Sequence, residues 1–147
     1  MVSPKPLDDK LFVGPSLTAE DVAALAAQGF KSIICNRPDG EAGVVATSEQ
    51  IGTLAAAENI EFAYVPLADL NPQESHVRAT SKFLESLPGP IYAYCKTGGR
   101  AAALWALANV ANLASDELIS RCAAAGYDLS GLRLKLEARR TFLEDDD

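Results

Sequence analysis

The chain has 147 residues, 48% of them apolar and 22% charged, with a formal net charge of −7. That length suits a single domain, and that composition excludes general disorder. The acidic balance excludes a surface of clustered Lys and Arg for nucleic acid or anionic membrane, and apolar runs such as Ala101 to Ala108 fall short of the ~20 residues a bilayer span needs.

Leu11-Phe12-Val13 is a short apolar run closed by Gly14-Pro15, and Thr18 with Asp21 three residues on predicts a capped helix from about Ala19 to Gln28. Gly29 ends it. Phe30 to Asn36 then reads as a buried strand, followed by the loop Arg37-Pro38-Asp39-Gly40-Glu41. A second helix is expected over Ser48 to Glu58 and a further strand over Phe62 to Leu67. Asn71 as N-cap, Pro72 at the first helical position and Glu74 as the acid of the first turn predict the start of a third helix that turns Val77, Phe83 and Leu84 inward. Pro88-Gly89-Pro90 breaks it before the strand Ile91-Tyr92-Ala93-Tyr94. An Ala- and Leu-rich helical stretch runs to Leu113, Ser115 caps another helix to about Ala125, and a last helix begins near Leu129.

Strand and helix alternate at the spacing that crossover connections need. The expected fold is therefore α/β, one domain over residues 1–147 with a mostly parallel sheet of four to five strands flanked by helices. Residues 1–8 and the acidic tail Glu144 to Asp147 are expected to be flexible. Three cysteines without paired spacing suit a reducing compartment, and with no signal-peptide core at the N-terminus the expectation is a cytoplasmic protein. No cofactor is called for, and no C-x-x-C pair points to a metal.

Chemistry concentrates in Cys95-Lys96-Thr97-Gly98-Gly99-Arg100, a glycine loop between a buried strand and a helix. Ligands of open α/β sheets bind beyond the carboxyl ends of strands, where a helix N-terminus presents free amides and the positive end of its dipole. A cysteine there is favoured as thiolate, the nucleophilic form. Gly98 and Gly99 let the backbone turn amides inward, and Arg100 can fork onto two oxygens of an oxyanion. Cys95 and Arg100 are the candidate catalytic residues, and Lys96, Thr97, Gly98 and Gly99 the candidate substrate contacts. Arg37, at the end of a strand, is a further candidate on the substrate side. His76 is expected to be a solvated surface residue, and Cys35 and Cys122 small buried hydrophobes, with Cys35 a secondary candidate for a resolving thiol.

The C-x-x-x-x-R spacing after an apolar strand, the segment Asn36-Arg37-Pro38-Asp39-Gly40-Glu41 and the segment Gly126-Tyr127-Asp128-Leu129 together resemble the phosphatase-like domain of the beta-lactamase-hydrolase-like family, also catalogued with sulfurtransferases. The resemblance runs from Leu11 to about Leu136. It implies a dual-specificity-phosphatase-like fold, Cys95 as nucleophile and Arg100 as oxyanion binder. It also implies a link to persulfide oxidation, with a persulfide dioxygenase as a partner.

Compared with protein tyrosine phosphatases, four residues rather than five separate Cys95 from Arg100, Tyr94 stands where a histidine usually precedes the cysteine, and Ala101 where a hydroxyl commonly follows the arginine. These departures place sulfur transfer first: Cys95 takes a sulfane sulfur from an anionic or persulfide donor and passes it to a second thiol. The alternative is a phosphatase in which Cys95 takes the phosphoryl group and a carboxylic acid protonates the leaving oxygen, with Asp69 as first candidate and Asp39 in reserve. A third reading is a module that binds an anion without turning it over.

Overall fold

The structure is a computed structural model that describes residues 2–145. Strand β1 (Lys5–Pro6) is followed by β2 (Leu11–Gly14), helix α1 (Ala19–Ala27), β3 (Ser32–Cys35), α2 (Ser48–Ala57), β4 (Glu61–Tyr64), α3 (Glu74–Ser86) and β5 (Ile91–Tyr94). Helices α4 (Gly99–Ala108), α5 (Ser115–Ala124) and α6 (Arg133–Asp145) complete the chain, with a short 3-10 turn at Ser130–Leu132 before α6. The sheet order is β1-β2-β5-β3-β4; β1 pairs antiparallel to β2 and all other pairs are parallel. The expected mostly parallel α/β sheet is the one found.

Side-chain alternation along each strand divides the core in two, because successive residues point to opposite faces of a sheet. Ile33, Cys35, Tyr92 and Tyr94 face one side with Val22 and Leu25 of α1 and Ile51 and Ala55 of α2. Ile34, Ile91 and Ala93 face the other, with Val77 of α3, Leu118 and Cys122 of α5, Leu136 of α6 and the whole of Ala101 to Leu107. From Ala101 to Leu107 helix α4 is thus apolar and buried all round, as its composition requires. Trp105 is fully buried within it and donates its indole N–H to Asp8 at 2.9 Å. Among the described residues no helix is long and apolar enough to cross a membrane.

Four expectations need correction. The arm up to residue 8 is not loose from Lys5 on: it pairs as β1, buries Leu7, and Asp8 takes the backbone amides of Lys10 and Leu11 as well as the Trp105 indole. Helix α3 starts at Glu74 with Gln73 as its cap, not at Asn71-Pro72. The Asn71 amide is taken by the Asp69 carboxylate and its side chain by Lys135, while His76 accepts the Gln73 amide at 3.0 Å and so caps the helix. Strand β4 ends at Tyr64 rather than Leu67, because Pro66 has no N–H to give, although Val65 and Leu67 still bond the carbonyls of Cys35 and Asn36 on either side of it. At the other terminus Glu144 and Asp145 belong to α6, and the rest of the acidic tail lies outside the described residues.

Candidate active site

Strand β5 lies at the centre of the sheet, so the loop that follows it has the β2–α1 loop on one side and the β3–α2 loop on the other. This is the position at the carboxyl edge where a ligand meets loops from several strands. Gly98 caps α4 with φ +112°, a left-handed conformation that glycine adopts at little cost. The turn it makes brings its own amide onto the Cys95 sulfur, donating at 3.1 Å. A Cβ on Gly98 would stand 2.1 Å from the Tyr127 hydroxyl, and that hydroxyl donates to the Thr97 carbonyl at 2.8 Å. Tyr127, from the loop after α5, therefore presses on the turn and fixes it. Cys95 is buried, at 1% exposure, whereas Lys96 and Thr97 are exposed and Gly99 is half-buried.

Arg100 projects from the first turn of α4. Its Nη1 donates to Glu41 Oε2 at 2.8 Å and to the Leu67 carbonyl at 2.7 Å, and its Nη2 donates to Glu41 Oε1 at 2.8 Å. A guanidinium carries five N–H donors. Those three contacts leave the Nε hydrogen and one Nη2 hydrogen, and Cys95 is near enough to the guanidinium to be among the groups that raise its pKa. Glu41 raises the Arg100 pKa, and in return the Arg100 hydrogen bonds, with help from Arg37, hold the Glu41 carboxyl down at about 2, so the pair is fully ionised.

Arg37 is buried at 6% exposure and each of its nitrogens has a partner: Nε donates to Glu41 Oε1 at 3.0 Å, Nη1 to Ser16 Oγ at 3.0 Å, and Nη2 to the Ala42 carbonyl at 2.7 Å. Ser16 passes the chain on by donating to the Cys95 carbonyl at 2.8 Å. Ser16, Arg37, Glu41, Arg100 and the Cys95 loop thus form one continuous polar circuit across three loops. Arg37 braces Glu41 and Ser16 behind Cys95 and Arg100, with three of its five N–H hydrogens engaged there. From sequence, Glu41 shares with Arg37 and Asp39 a strand-end loop expected either to rim the pocket or to close as a salt-bridged turn, and the Arg37–Glu41 pair is present. The four-residue spacing of Arg37 and Glu41 was the one available signal; nothing in the sequence marks Ser16.

The two carboxylates considered as acids are placed differently. Asp69 is exposed in the loop after β4, two residues beyond the Leu67 carbonyl that holds Arg100, and its Oδ1 accepts the Asn71 amide at 2.9 Å. Asp39 accepts the Ser48 amide at 2.7 Å and the Ser48 hydroxyl at 2.6 Å, which ties it to the N-terminus of α2. Among the described residues no three His, Cys, Asp or Glu side chains cluster as metal ligands would.

The family described as beta-lactamase hydrolase-like protein, phosphatase-like domain, matches residues 5–112. The chain belongs to this family. It is 33% identical over 101 residues to a beta-lactamase hydrolase-like protein of Agrobacterium fabrum, an alignment covering 69% of this chain and 23% of that protein. A protein of the same description from Xylella fastidiosa is 26% identical over 125 residues, covering 84% of this chain and 29% of that one. The chain therefore spans about a quarter of the length of these curated relatives. A crystal structure from Neisseria meningitidis, described as a candidate phosphatase, superposes with a TM-score of 0.82 at 33% identity and covers 92% of this chain and 97% of that one. Kinase associated phosphatase superposes at 0.72 with 15% identity, covering 98% of this chain and 96% of that one, a likeness of fold alone. The phosphatase-like fold and family are thereby shown. The preference for sulfur transfer drawn from the four-residue spacing finds no support among these relatives, and the phosphatase alternative fits them better.

Proposed function

We propose that this beta-lactamase-hydrolase-like domain hydrolyses phosphate monoesters through a phosphocysteine at Cys95. The observation that carries the reading is the meeting of three groups at the head of α4: the Cys95 sulfur, the Gly98 amide on it at 3.1 Å, and the Arg100 guanidinium beside it. Glu41 and Leu67 hold Arg100 by three of its hydrogens, which leaves two for a pair of phosphoryl oxygens.

In the first step the Cys95 sulfur attacks phosphorus, an S–P bond forms, and the ester P–O bond breaks. The leaving oxygen takes a proton from a carboxylic acid. Asp69 is our candidate for that acid, because its loop is tethered to the site through Leu67. In the second step water attacks phosphorus, the S–P bond breaks, and the sulfur leaves as thiolate with inorganic phosphate released. Arg100 and the loop amides face the charge that develops on the equatorial oxygens in both steps. The preorganised circuit behind Arg100 matters here, since a donor already held in place costs no reorganisation in the transition state.

The test is phosphate release from p-nitrophenyl phosphate and a panel of small phosphomonoesters by the wild type, Cys95→Ser and Asp69→Asn, with rapid acid quench and mass analysis of the Cys95 peptide. A phosphoryl mass on Cys95 and loss of turnover in Cys95→Ser are the expected results, with Asp69→Asn lowering kcat by about 100-fold. Phosphate release that persists in Cys95→Ser would refute the proposal. Incubation with thiosulfate in parallel reads the sulfur alternative as a gain of one sulfur atom on the same peptide.

A further inference from the structure

Three successive carbonyls of the Cys95 loop are taken by groups outside it. Ser16 donates its hydroxyl to the Cys95 carbonyl at 2.8 Å and its backbone N–H to the Lys96 carbonyl at 3.4 Å, and the Tyr127 hydroxyl donates to the Thr97 carbonyl at 2.8 Å. A trans peptide unit is planar, with its C=O and its N–H on opposite sides. Carbonyls drawn outward therefore leave the N–H groups of the same units to face the other way.

The third unit can be followed to both ends. Its oxygen, on Thr97, is held by Tyr127, and its N–H, on Gly98, donates to the Cys95 sulfur at 3.1 Å. Rotation of that single plane breaks both bonds together. The local backbone does not prevent the rotation, because Gly98 has φ +112° and glycine adopts positive and negative φ with similar ease. The residue that permits the turn also permits it to flip, so a partner outside the loop has to set its orientation.

Tyr127 is built for that task. Its own N–H is fixed on the Cys122 carbonyl at 2.8 Å, at the end of α5. A Cβ on residue 98 would stand 2.1 Å from the Tyr127 hydroxyl and 3.2 Å from the Gly14 Cα, so the hydroxyl reaches the Thr97 carbonyl only because residue 98 has no side chain. Burial, and then the Cys95 charge, raise the phenol above its usual pKa, which keeps its proton in place for donation. A proton given to the carbonyl also polarises the peptide unit and strengthens what its N–H donates to the sulfur.

We propose that Tyr127 is a positioning residue for the nucleophile: through the Thr97–Gly98 peptide unit its hydroxyl holds the Gly98 N–H on the Cys95 sulfur and so favours the thiolate. This rests on Cys95 as the nucleophile of the reaction proposed above, and its test uses no substrate, so the two stand or fall separately. The titratable groups that act on Cys95 are Arg100, Tyr127, Tyr92 and Cys35. All four have raised pKa values, and Glu41 behind Arg100 is held near 2, so none of these five changes charge between about pH 5 and 8.

The test is Tyr127→Phe, which keeps the ring and removes the hydroxyl, with circular dichroism to confirm the fold. Ultraviolet thiolate absorbance across that pH range, each protein read against its own Cys95→Ser counterpart, gives the ratio of thiolate to thiol at Cys95. The ratio should fall by about 3-fold in Tyr127→Phe. Hydrogen exchange of the Gly98 amide, followed in isotope-labelled protein, should accelerate by about 3- to 10-fold relative to the amides of β5. A ratio equal to that of the wild type, or a Gly98 amide that speeds up no more than the strand does, would reduce Tyr127 to a packing residue and overturn the proposal, whatever the change in stability.

Discussion

The Glu41 carboxylate spans both terminal nitrogens of Arg100 at 2.8 Å each, while its Oε1 also accepts from Arg37 Nε at 3.0 Å. A fork held on one edge by a fixed carboxylate presents its other edge in one orientation. That is what the role proposed for Arg100 needs, because an unrestrained guanidinium would have to be ordered anew for each substrate.

Glu41→Gln keeps the size of the side chain but removes the charge and one acceptor. Turnover of a phosphomonoester should fall by about 10- to 100-fold in kcat with a small change in KM, since the residue touches Arg100 and not the substrate. Steady-state kinetics on the variant, with circular dichroism to confirm the fold, checks this. An unchanged kcat would show that Arg100 keeps its orientation without Glu41.

The same pair has a pH signature. Arg100 and Arg37 hold the Glu41 carboxyl near 2, against an ordinary value of 4.5. A carboxylate whose folded pKa is depressed contributes stability that is fully present above its unfolded pKa and is lost as the pH falls towards the folded one. Urea unfolding across the window from 4.5 down to 2 should show the wild type losing its advantage over Glu41→Gln, with the two curves converging at the acid end.

Arg100→Lys should abolish most of the activity, by about 100-fold or more, because a point charge cannot hold two Glu41 oxygens, the Leu67 carbonyl and a substrate together. Lys96→Arg should change the rate by less than about 3-fold, since Lys96 is exposed and its side chain has no partner in the circuit. A comparison of kcat/KM for the two variants decides it.

Gly98→Ala should destabilise the protein by about 1–3 kcal/mol, because φ +112° is strained for alanine and the new methyl group meets the Tyr127 hydroxyl. Tyr127→Phe removes that hydroxyl and its bond to Thr97, at about 1 kcal/mol. Combined, the two substitutions should cost less than their sum, as the steric part of the first is relieved by the second. Denaturant unfolding of the four proteins measures the coupling.

Cys122 is fully buried and burial pushes its thiol up to about 12. In the folded protein it should resist iodoacetamide at neutral pH and react only on unfolding, since the thiolate is the reactive form. Mass analysis of the Cys122 peptide before and after addition of denaturant is the check.

Local patterns decided which segments are strands and helices, and the Cys95 to Arg100 loop could be read directly, because a buried apolar strand, two glycines and a helix start are contiguous in the chain. The closure of Glu41 onto Arg100 could not. It joins a residue of the β3–α2 loop to one in the first turn of α4, which only the return of β5 between β2 and β3 brings side by side, and Ser16 on Arg37 and Leu67 on Arg100 contribute a hydroxyl and a backbone carbonyl that leave no mark in sequence. The start of α3 slipped for the same reason, since the Asn71 side chain that would have capped it is taken by Lys135 from α6, 64 residues away. Contiguous chemistry is written along the chain, whereas the orientation of each polar group depends on partners that exist only once distant loops have met.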